Sequence, residues 1–408
     1  MKMPPPALRP ALRPLHIVHT ESSCGWGGQE LRILVESRGM IARGHRVTLL
    51  APVAARIFAE ASRYRVPVIA LPIEKKRLGA IGALRDWLRT HPADVINTHS
   101  STDSWLAALA WASLANAPPI VRTRHISAPV PENIASRWLY RRACSYVVTT
   151  GASLRDALIS RLRLDPSRVL SIPTGIDTAA FRPPTERERR VARAAIGANE
   201  GDFVVGIVAT LRSWKGHRYL IEGFAKALRM RADGTANAMR LVIVGDGPQR
   251  DALEALVDAQ SIRAHVRFAG NQPDVIAWLH AMDLFALPSY ANEGVPQAIL
   301  QAMGCGVPVI TTDAGAIAEI AFASSADGNA SQATALIARK ENPDDLCDGI
   351  LALKHDAARR ELMVNNALAL VRTSHGIDGM LDRMESVFRA AAGQGAISSV
   401  PITKVPIQ

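Results

Sequence analysis

Short apolar strands and amphipathic helices alternate along this chain, and the alternation occurs twice. In the first half, a strand at 15–20 is followed by a helix at 30–42 and by a second strand at 45–51. In the second half, a strand at 202–209 precedes a helix at 216–230. Strand–helix–strand units build parallel sheets that carry helices on their faces. The sequence therefore predicts an α/β protein made of two doubly wound domains.

Further elements of the same kind are predicted in both halves. Because ligands of doubly wound sheets bind outside the carboxyl ends of the strands, we expect a ligand cleft where the two domains face each other. The additional strands are predicted at 68–71, 93–98, 120–123, 145–149, 240–244, 266–268, 284–287 and 308–311, and additional helices at 82–89 and 103–115.

The pattern divides the chain into four segments. Residues 1–14 are rich in proline and lack the apolar core of a secretory signal, so we expect a flexible leader. The two domains are expected at 15–182 and 183–375, with the charged stretch 182–193 as the linker between them. Residues 376–408 are expected to form a tail and a helix that packs back toward the N-terminal domain.

The net charge of +11 comes entirely from the first half. Residues 1–182 contain 25 lysines and arginines against 12 aspartates and glutamates, a net charge of +13; the remaining residues contain 23 against 25, a net charge of −2. This asymmetry favours an anionic ligand or an anionic membrane surface as a partner. We do not expect nucleic acid, because no recognisable binding motif accompanies the charge and only 5% of the residues are aromatic.

The cysteine and hydropathy patterns indicate a cytoplasmic protein. The four cysteines are scattered without paired spacing, which is typical of a reducing compartment and predicts neither disulfides nor a zinc motif. No apolar run approaches the ~20 residues that a membrane-spanning helix needs.

The segment from Tyr290 to Val309 is the most informative about function. It carries one carboxylate, Glu293, then Gly294-Val295-Pro296, then a predicted helix that ends at Gly304 and Gly306. The start of such a helix presents unpaired N–H groups and a positive dipole end, which suit a diphosphate. Glu293 could then reach the hydroxyls of an attached sugar. An ordinary helix with a solvated glutamate is the alternative.

A nicotinamide dinucleotide is not the expected ligand. The glycine-rich loop after the first strand has Glu30 where the third glycine of a dinucleotide-binding fingerprint should be. The second strand, which ends near Pro52, is not followed by an acidic residue for the ribose. The dinucleotide interpretation fails on both counts.

Six motifs in order resemble the GT-B-fold glycosyltransferases, in particular the family-four retaining enzymes of bacterial surface polysaccharides and lipid-linked glycans. The resemblance covers about residues 15–390 and implies two Rossmann-like domains facing across a cleft. The motifs are Gly27-Gly28-Gln29-Glu30, Pro173-Thr174-Gly175-Ile176-Asp177, 210–216 (TLRSWKG), Val244-Gly245-Asp246-Gly247-Pro248, Phe268-Ala269-Gly270, and the stretch from Glu293 to Pro308.

The resemblance implies a donor site in the second domain. Arg212 and Lys215 match the family's diphosphate-binding pair, and a guanidinium and an ammonium both suit phosphate oxygens. Gly27 and Gly28 would let the first domain's backbone approach the donor. Two solvated loop cations and a plain strand-to-helix turn are the corresponding alternatives.

Glu293 matches the first glutamate of the family's motif of two glutamates separated by seven residues. The resemblance places it beside the donor sugar. The second position, which binds the ribose in the family, is Gln301 here. A neutral amide can still make a hydrogen bond to the ribose, at roughly half the strength of the charge-assisted contact. The nucleotide-sugar affinity is therefore the property that this departure affects most.

His99 follows a predicted strand at the position where the family often has a histidine in the cleft, and it could polarise a hydroxyl. A histidine packed beneath the helix at 103–115 is the equal alternative. His125 is a weaker candidate of the same kind. The neighbouring Arg122 and Arg124 could instead meet a phosphate on the acceptor.

No metal or cofactor is predicted. The chain contains no Asp-x-Asp, and His16 and His19 lie on a predicted buried strand without a partner carboxylate, as core or edge histidines do. The resemblance likewise implies that cations and a helix N-terminus replace the metal.

Two basic segments of the first domain suggest contact with a membrane surface. The segments 74–77 and 133–142 carry cations, and the second also carries Trp138, Leu139 and Tyr140. A basic amphipathic stretch would suit an enzyme that works on a lipid-linked acceptor at the inner face of the cytoplasmic membrane. A solvated helix face is the alternative.

The expected function is therefore metal-independent, retaining transfer of a sugar from a UDP- or GDP-sugar to a glycan or lipid-linked acceptor. Two other classes stay open. A sugar-nucleotide epimerase with the same fold would need carboxylates from both domains around the sugar and no room for an acceptor. A non-catalytic nucleotide-sugar sensor would fit the change at Gln301.

Overall fold

A computed structural model describes residues 13–230, 239–321 and 332–397. Residues 1–12 of the predicted leader and the tail beyond 397 lie outside the described residues. The strands form two parallel sheets, which confirms the predicted α/β class with two doubly wound, Rossmann-like domains. The strands are β1 His16–Thr20, β2 Arg46–Ala51, β3 Val68–Ala70, β4 Val95–Thr98, β5 Ile120–Arg124, β6 Cys144–Thr149, β7 Val169–Ser171, β8 Phe203–Val208, β9 Met239–Val244, β10 Val266–Gly270, β11 Leu284–Leu287, β12 Val309–Thr311 and β13 Leu336–Ile337.

The first sheet has the order β3-β2-β1-β4-β5-β6-β7 and the second the order β10-β9-β8-β11-β12-β13. In each sheet the order reverses beside the first strand of the domain, where a doubly wound sheet opens a crevice for ligands. The helices are α1 Gly28–Ala42, α2 Arg56–Glu60, α3 Leu78–Thr90, α4 Ser101–Ala112, α5 Ile134–Trp138, α6 Ala152–Leu162, α7 Glu186–Ala195, α8 His217–Arg229, α9 Arg250–Ala259, α10 Ile276–Ala281, α11 Gln297–Gly304, α12 Pro343–His355, α13 Ala357–Ser374 and α14 Ile377–Ala391.

The first sheet is buried on both faces. Successive residues of a strand point to opposite faces, so Ile17 and Val18 of β1 enter different hydrophobic clusters. Val18 packs in the cluster that includes residues of α3 and α4. Ile17 packs with Met384 and Phe388 of α14, the last helix of the chain. The C-terminal helix therefore completes the core of the N-terminal domain.

The prediction that residues 182–193 form a linker is wrong for most of that stretch, because helix α7 occupies Glu186–Ala195. Thr185 and Glu188 cap this helix reciprocally, which stabilises its first turn. The Arg193 side chain is buried and donates to Asp283 Oδ2 at 2.9 Å. The high charge of this stretch therefore belongs to a helix packed on the second domain, against α10.

Candidate active site

A cavity of about 230 Å³ lies between the two domains. The first domain contributes Gly27 and Gly28 at the start of α1, and the second contributes Lys215 and Glu293. A Cβ added at Gly27 or Gly28 would come no closer than 3.5 Å to another residue. The protein alone therefore leaves room for a side chain at both glycines, and any steric need for glycine there must come from a ligand.

Glu293 is buried in the wall of this cavity. Its Oε1 accepts hydrogen bonds from Lys215 Nζ at 2.6 Å and from Ser289 Oγ at 2.7 Å. The preceding residue, Asn292, adopts a left-handed backbone conformation (φ 62°), which asparagine tolerates better than most residues. The turn places the carboxylate between β11 and α11. Because one carboxylate oxygen accepts both of these hydrogen bonds, the Glu293 side chain is held in a fixed orientation.

Gly294 lies where the two domains touch. A Cβ at this position would lie 2.1 Å from Thr150 Oγ1 and 2.5 Å from the carbonyl oxygen of His125, both in the first domain. The next amide, Val295 N–H, donates to the Thr150 carbonyl oxygen at 3.2 Å. Only glycine allows this approach, which brings Glu293 next to the first domain.

The N-terminus of α11 opens onto the same cavity. Val295, Pro296 and Gln297 line it, and no side chain caps the helix at Pro296. The unpaired N–H groups of the first turn and the positive end of the helix dipole are thus available to an anion. This is the arrangement that the sequence predicted for a diphosphate.

Arg212 and Lys215, the two cations predicted to bind the diphosphate, lie in different places. Lys215 lines the cavity and its side chain is 21% exposed. Arg212 is exposed and lies over the ring of Trp214, at 5.3 Å from the ring centroid. Its Nη2 also lies about 4.0 Å from a Cβ built on Gly25, in the loop before α1. Arg212 therefore stands at the junction of the two domains, outside the cavity wall.

Gln301 lies on α11, one turn beyond Gln297, and is 8% exposed. It lines a neighbouring cavity of about 460 Å³. Gln297 and Gln272 line both cavities, so the two are contiguous. A nucleotide whose diphosphate lay at the start of α11 could extend its nucleoside toward Gln301.

If Gln301 contacts the ribose, Gln301→Glu should tighten nucleotide-sugar binding by about five- to thirtyfold, because a carboxylate accepts a charge-assisted hydrogen bond from a ribose hydroxyl. Dissociation constants for Gln301→Glu and Gln301→Ala, measured side by side by calorimetry, check this. A difference of less than twofold from the parent in both variants would place residue 301 away from the nucleotide.

Three histidines form a hydrogen-bonded row at the carboxyl ends of β1, β4 and β5. His19 Nδ1 lies 3.0 Å from His99 Nε2, and His99 Nδ1 lies 2.9 Å from His125 Nε2. Burial lowers the pKa of His19 to about 3 and holds the pKa values of His99 and His125 well below the ordinary value. The three imidazoles are therefore neutral near pH 7.

The row has a preferred direction. His19 Nε2 is buried and finds no partner in the described part of the chain. An orphaned buried N–H is rarer than an orphaned acceptor, so we assign the proton of His19 to Nδ1. His19 then donates to His99 and His99 donates to His125. His125 is left as the Nδ1–H tautomer.

His125, the weaker candidate in the sequence, is the histidine that lines the cavity beside Glu293. The favoured candidate, His99, does not line this cavity, and both of its ring nitrogens are engaged by the other two histidines; it lines a second cavity, in the first domain. The strand pattern places both residues at the same sheet edge. Which of the two lies beside Glu293 depends on the packing of neighbouring strands, which the sequence does not display.

The apolar residues of segment 133–142 do not form the surface that the sequence suggested. Leu139 and Tyr140 are buried, and the Trp138 ring stacks on that of Trp105 at 6.2 Å between centroids. Ile134, at the start of α5, is instead the exposed apolar residue, with 84% of its surface accessible. The amphipathic interpretation of Trp138, Leu139 and Tyr140 was therefore wrong.

Two family models match this chain, one in each domain. The family model described as Glycosyltransferase Family 4 matches residues 26–180, and the model described as Glycosyl transferases group 1 matches residues 188–369. Together the matches extend over most of the chain. They support a glycosyltransferase built from both domains.

Curated relatives carry glycosyltransferase names. The D-inositol 3-phosphate glycosyltransferase of Nocardia farcinica is 28% identical over 76% of this chain and 70% of its own length. The enzyme of the same name from Jonesia denitrificans is 29% identical over 58% of this chain, and the match spans only 60% of that relative.

Among solved structures, Anabaena HepE in complex with UDP and glucose superposes with a TM-score of 0.79. The match covers 92% of this chain and 100% of that one at 19% identity, and so shows a shared fold. With the two family matches, it confirms the predicted resemblance. The chain belongs to the GT-B-fold glycosyltransferases, in the family-four group.

Proposed function

We propose that the protein transfers a sugar from a UDP- or GDP-sugar, with retention of anomeric configuration, to a glycan or lipid-linked acceptor. The observation that carries the proposal is the pairing of Glu293 with Lys215 at the uncapped start of α11. An ammonium and a helix N-terminus stabilise the departing diphosphate, and a fixed carboxylate lies where positive charge develops on the sugar. The UDP complex of HepE supports a nucleotide-sugar donor.

The residues around the cavity favour transfer over epimerisation. An epimerase of this fold would need carboxylates from both domains, and among the described residues Glu293 is the sole carboxylate lining this cavity. A second cavity, of about 510 Å³, lies in the first domain and shares His125 and Gln29 with the first. It offers the room for an acceptor that an epimerase would lack.

Incubation with radiolabelled UDP- and GDP-sugars and an extract of envelope glycans tests the proposal. Label should pass from one of the donors to a glycan or a lipid-linked product. Interconversion of the free sugar-nucleotide, or binding without turnover across the whole panel, would overturn it. The coupling constant of the anomeric proton in the product, measured by NMR, tests retention separately.

We also propose that transfer needs no metal ion. Within the described residues, no group of three His, Cys, Asp or Glu side chains is arranged to hold one. Lys215 and the start of α11 supply the positive charge instead.

Activity should therefore persist in excess EDTA. Initial rates with and without the chelator check this expectation. Loss of activity on chelation, followed by recovery with magnesium or manganese, would contradict it.

For localisation, we propose a cytoplasmic enzyme with peripheral attachment to the membrane. In the described ranges no helix is both long and apolar enough to cross a bilayer. The support is the pair of exposed apolar residues Leu78 and Ile134. Leu78 lies two positions after Lys76 and Ile134 directly follows Asn133, and both Lys76 and Asn133 line the first-domain cavity. Apolar side chains beside lysines and arginines suit an anionic lipid surface.

A further inference from the structure

The 510 Å³ cavity of the first domain, which we call the arginine cavity, has a positively charged wall. Lys76, Arg122 and Arg124 line it, and no aspartate or glutamate of the described residues does so. The arginines alternate along β5, so their side chains leave the same face of the sheet. Arg122 is 3% and Arg124 9% exposed. Burial of two guanidiniums is costly unless a counter-charge is present.

The two guanidiniums are held side by side by one phenol. Arg122 Nε donates to the Tyr140 hydroxyl at 3.1 Å, and Arg124 Nη1 donates to the same oxygen at 3.0 Å. Burial alone would raise the pKa of Tyr140, but the two arginines outweigh it and lower that pKa. The field at this position therefore favours negative charge.

Backbone carbonyl oxygens accept hydrogen bonds from other guanidinium nitrogens of Arg122 and Arg124. Arg122 Nη1 donates to the Ser100 carbonyl oxygen at 2.7 Å, and Arg124 Nη2 donates to that of Ala128 at 2.6 Å. Within the described part of the chain no acceptor pairs with Arg122 Nη2, although that atom is not sealed from the cavity. One guanidinium nitrogen thus remains available to a ligand.

The carboxylates behind the wall do not cancel this charge. Burial, with nearby Asp103 and Glu30, raises the pKa of Glu21 to about 8, so that Glu21 is largely uncharged at neutral pH. Burial raises the pKa of Asp103 to about 6, and this carboxylate already accepts hydrogen bonds from Thr20 and from the backbone of His99. Both carboxylates lie outside the lining of the cavity, and burial favours the uncharged form of each.

We propose that the arginine cavity binds a phosphate group of the acceptor, so that the glycan receiving the sugar is phosphorylated. This inference rests on the proposed function, since it assigns the acceptor of the same reaction. A tetrahedral oxyanion beside Arg122 would meet a guanidinium, the Lys76 ammonium and the start of α4, where Ser100 and Ser101 line the cavity. His125 and Gln29 line both this cavity and the cavity that holds Glu293, so a bound acceptor can present a hydroxyl to the donor sugar.

Titration with inorganic phosphate, followed by tryptophan fluorescence, tests the assignment because Trp105 lines the cavity. Saturating UDP or GDP fills the donor site first, and potassium chloride holds the ionic strength constant. Saturable binding is expected, weakened about tenfold or more in Arg122→Met and in Lys76→Met. The matched control is Arg85→Met, which removes an exposed arginine of the same domain from outside the cavity. A parallel titration with acetate tests whether the cavity instead prefers the carboxylate group of an acceptor.

No saturable phosphate binding to the parent, or binding within twofold of the parent in both cavity variants, would overturn the proposal. Stronger binding of acetate than of phosphate would do the same. Lys76 is exposed, so Lys76→Met should fold even if Arg122→Met does not. In that case the phosphate affinity of Lys76→Met alone tests the proposal. Binding of the nucleoside diphosphate is measured in the same samples, and its absence would count against the proposed function and not against this cavity.

Discussion

Glu293→Gln should lower the turnover number by about 10²–10³-fold, the cost of losing one preorganised electrostatic contact. Glutamine keeps the size of the side chain and can still accept a hydrogen bond from Ser289 or Lys215, so the change removes charge and little else. Steady-state rates with the labelled donor measure the effect. We expect this large effect because the Glu293 carboxylate is fixed at 2.6 Å from Lys215 Nζ, in the wall of the donor cavity.

Glu361→Gln serves as the control, because Glu361 is an exposed carboxylate of the same domain. It should leave turnover unchanged. The melting temperature and the affinity for the nucleoside diphosphate should be retained in Glu293→Gln, which would separate a catalytic loss from a folding defect. Turnover close to that of the parent in a folded Glu293→Gln protein would remove Glu293 from the mechanism.

Lys215→Ala should weaken binding of the nucleoside diphosphate by about tenfold to 150-fold, since a charge-assisted phosphate contact is worth about 1.5–3 kcal/mol. The same substitution leaves Glu293 without its cation, so the carboxylate would then repel the diphosphate. Arg212→Ala should weaken binding as well. Arg212 lies outside the cavity wall, and its effect therefore reports whether the guanidinium moves onto the phosphates when the donor binds.

Calorimetry on the two variants and on Lys226→Ala provides the measurement. Lys226 is a lysine of α8 paired with Asp344 away from the cavity, so its removal should not affect the affinity. Affinity unchanged in both Lys215→Ala and Arg212→Ala would count against the phosphate site.

The fold was predictable because strand and helix periodicities are local properties of the sequence. The buried central strands and the glycine turns after them were visible, whereas the short edge strands Val169–Ser171 and Leu336–Ile337 were missed. The helix at Glu186–Ala195 was missed even though its capping pair, Thr185 and Glu188, is a local signal. Its charge density suggested a linker, whereas Arg193 is satisfied by Asp283, a residue 90 positions away.

The candidate site was predictable from the residues themselves where one segment supplies it, whereas Lys215, Gly27 and Gly28, which line the same cavity, were assigned through the family resemblance. Glu293 and the start of α11 belong to a single loop and helix, so their proximity follows from the sequence. The preference for His99 over His125, and the exposed face assigned to Leu139 and Tyr140, depended on contacts between strands and helices far apart in the chain. The pairing of Arg122 and Arg124 through Tyr140 is of the same kind.

The position of a bound nucleoside diphosphate tests the central claim most directly. In a crystal structure of the protein with UDP or GDP, we expect a phosphate oxygen within hydrogen-bonding distance of Lys215 Nζ and of the first N–H groups of α11, with the ribose on the side of Gln301. A nucleotide bound elsewhere, such as in the arginine cavity, with the space beside Glu293 empty, would contradict the account.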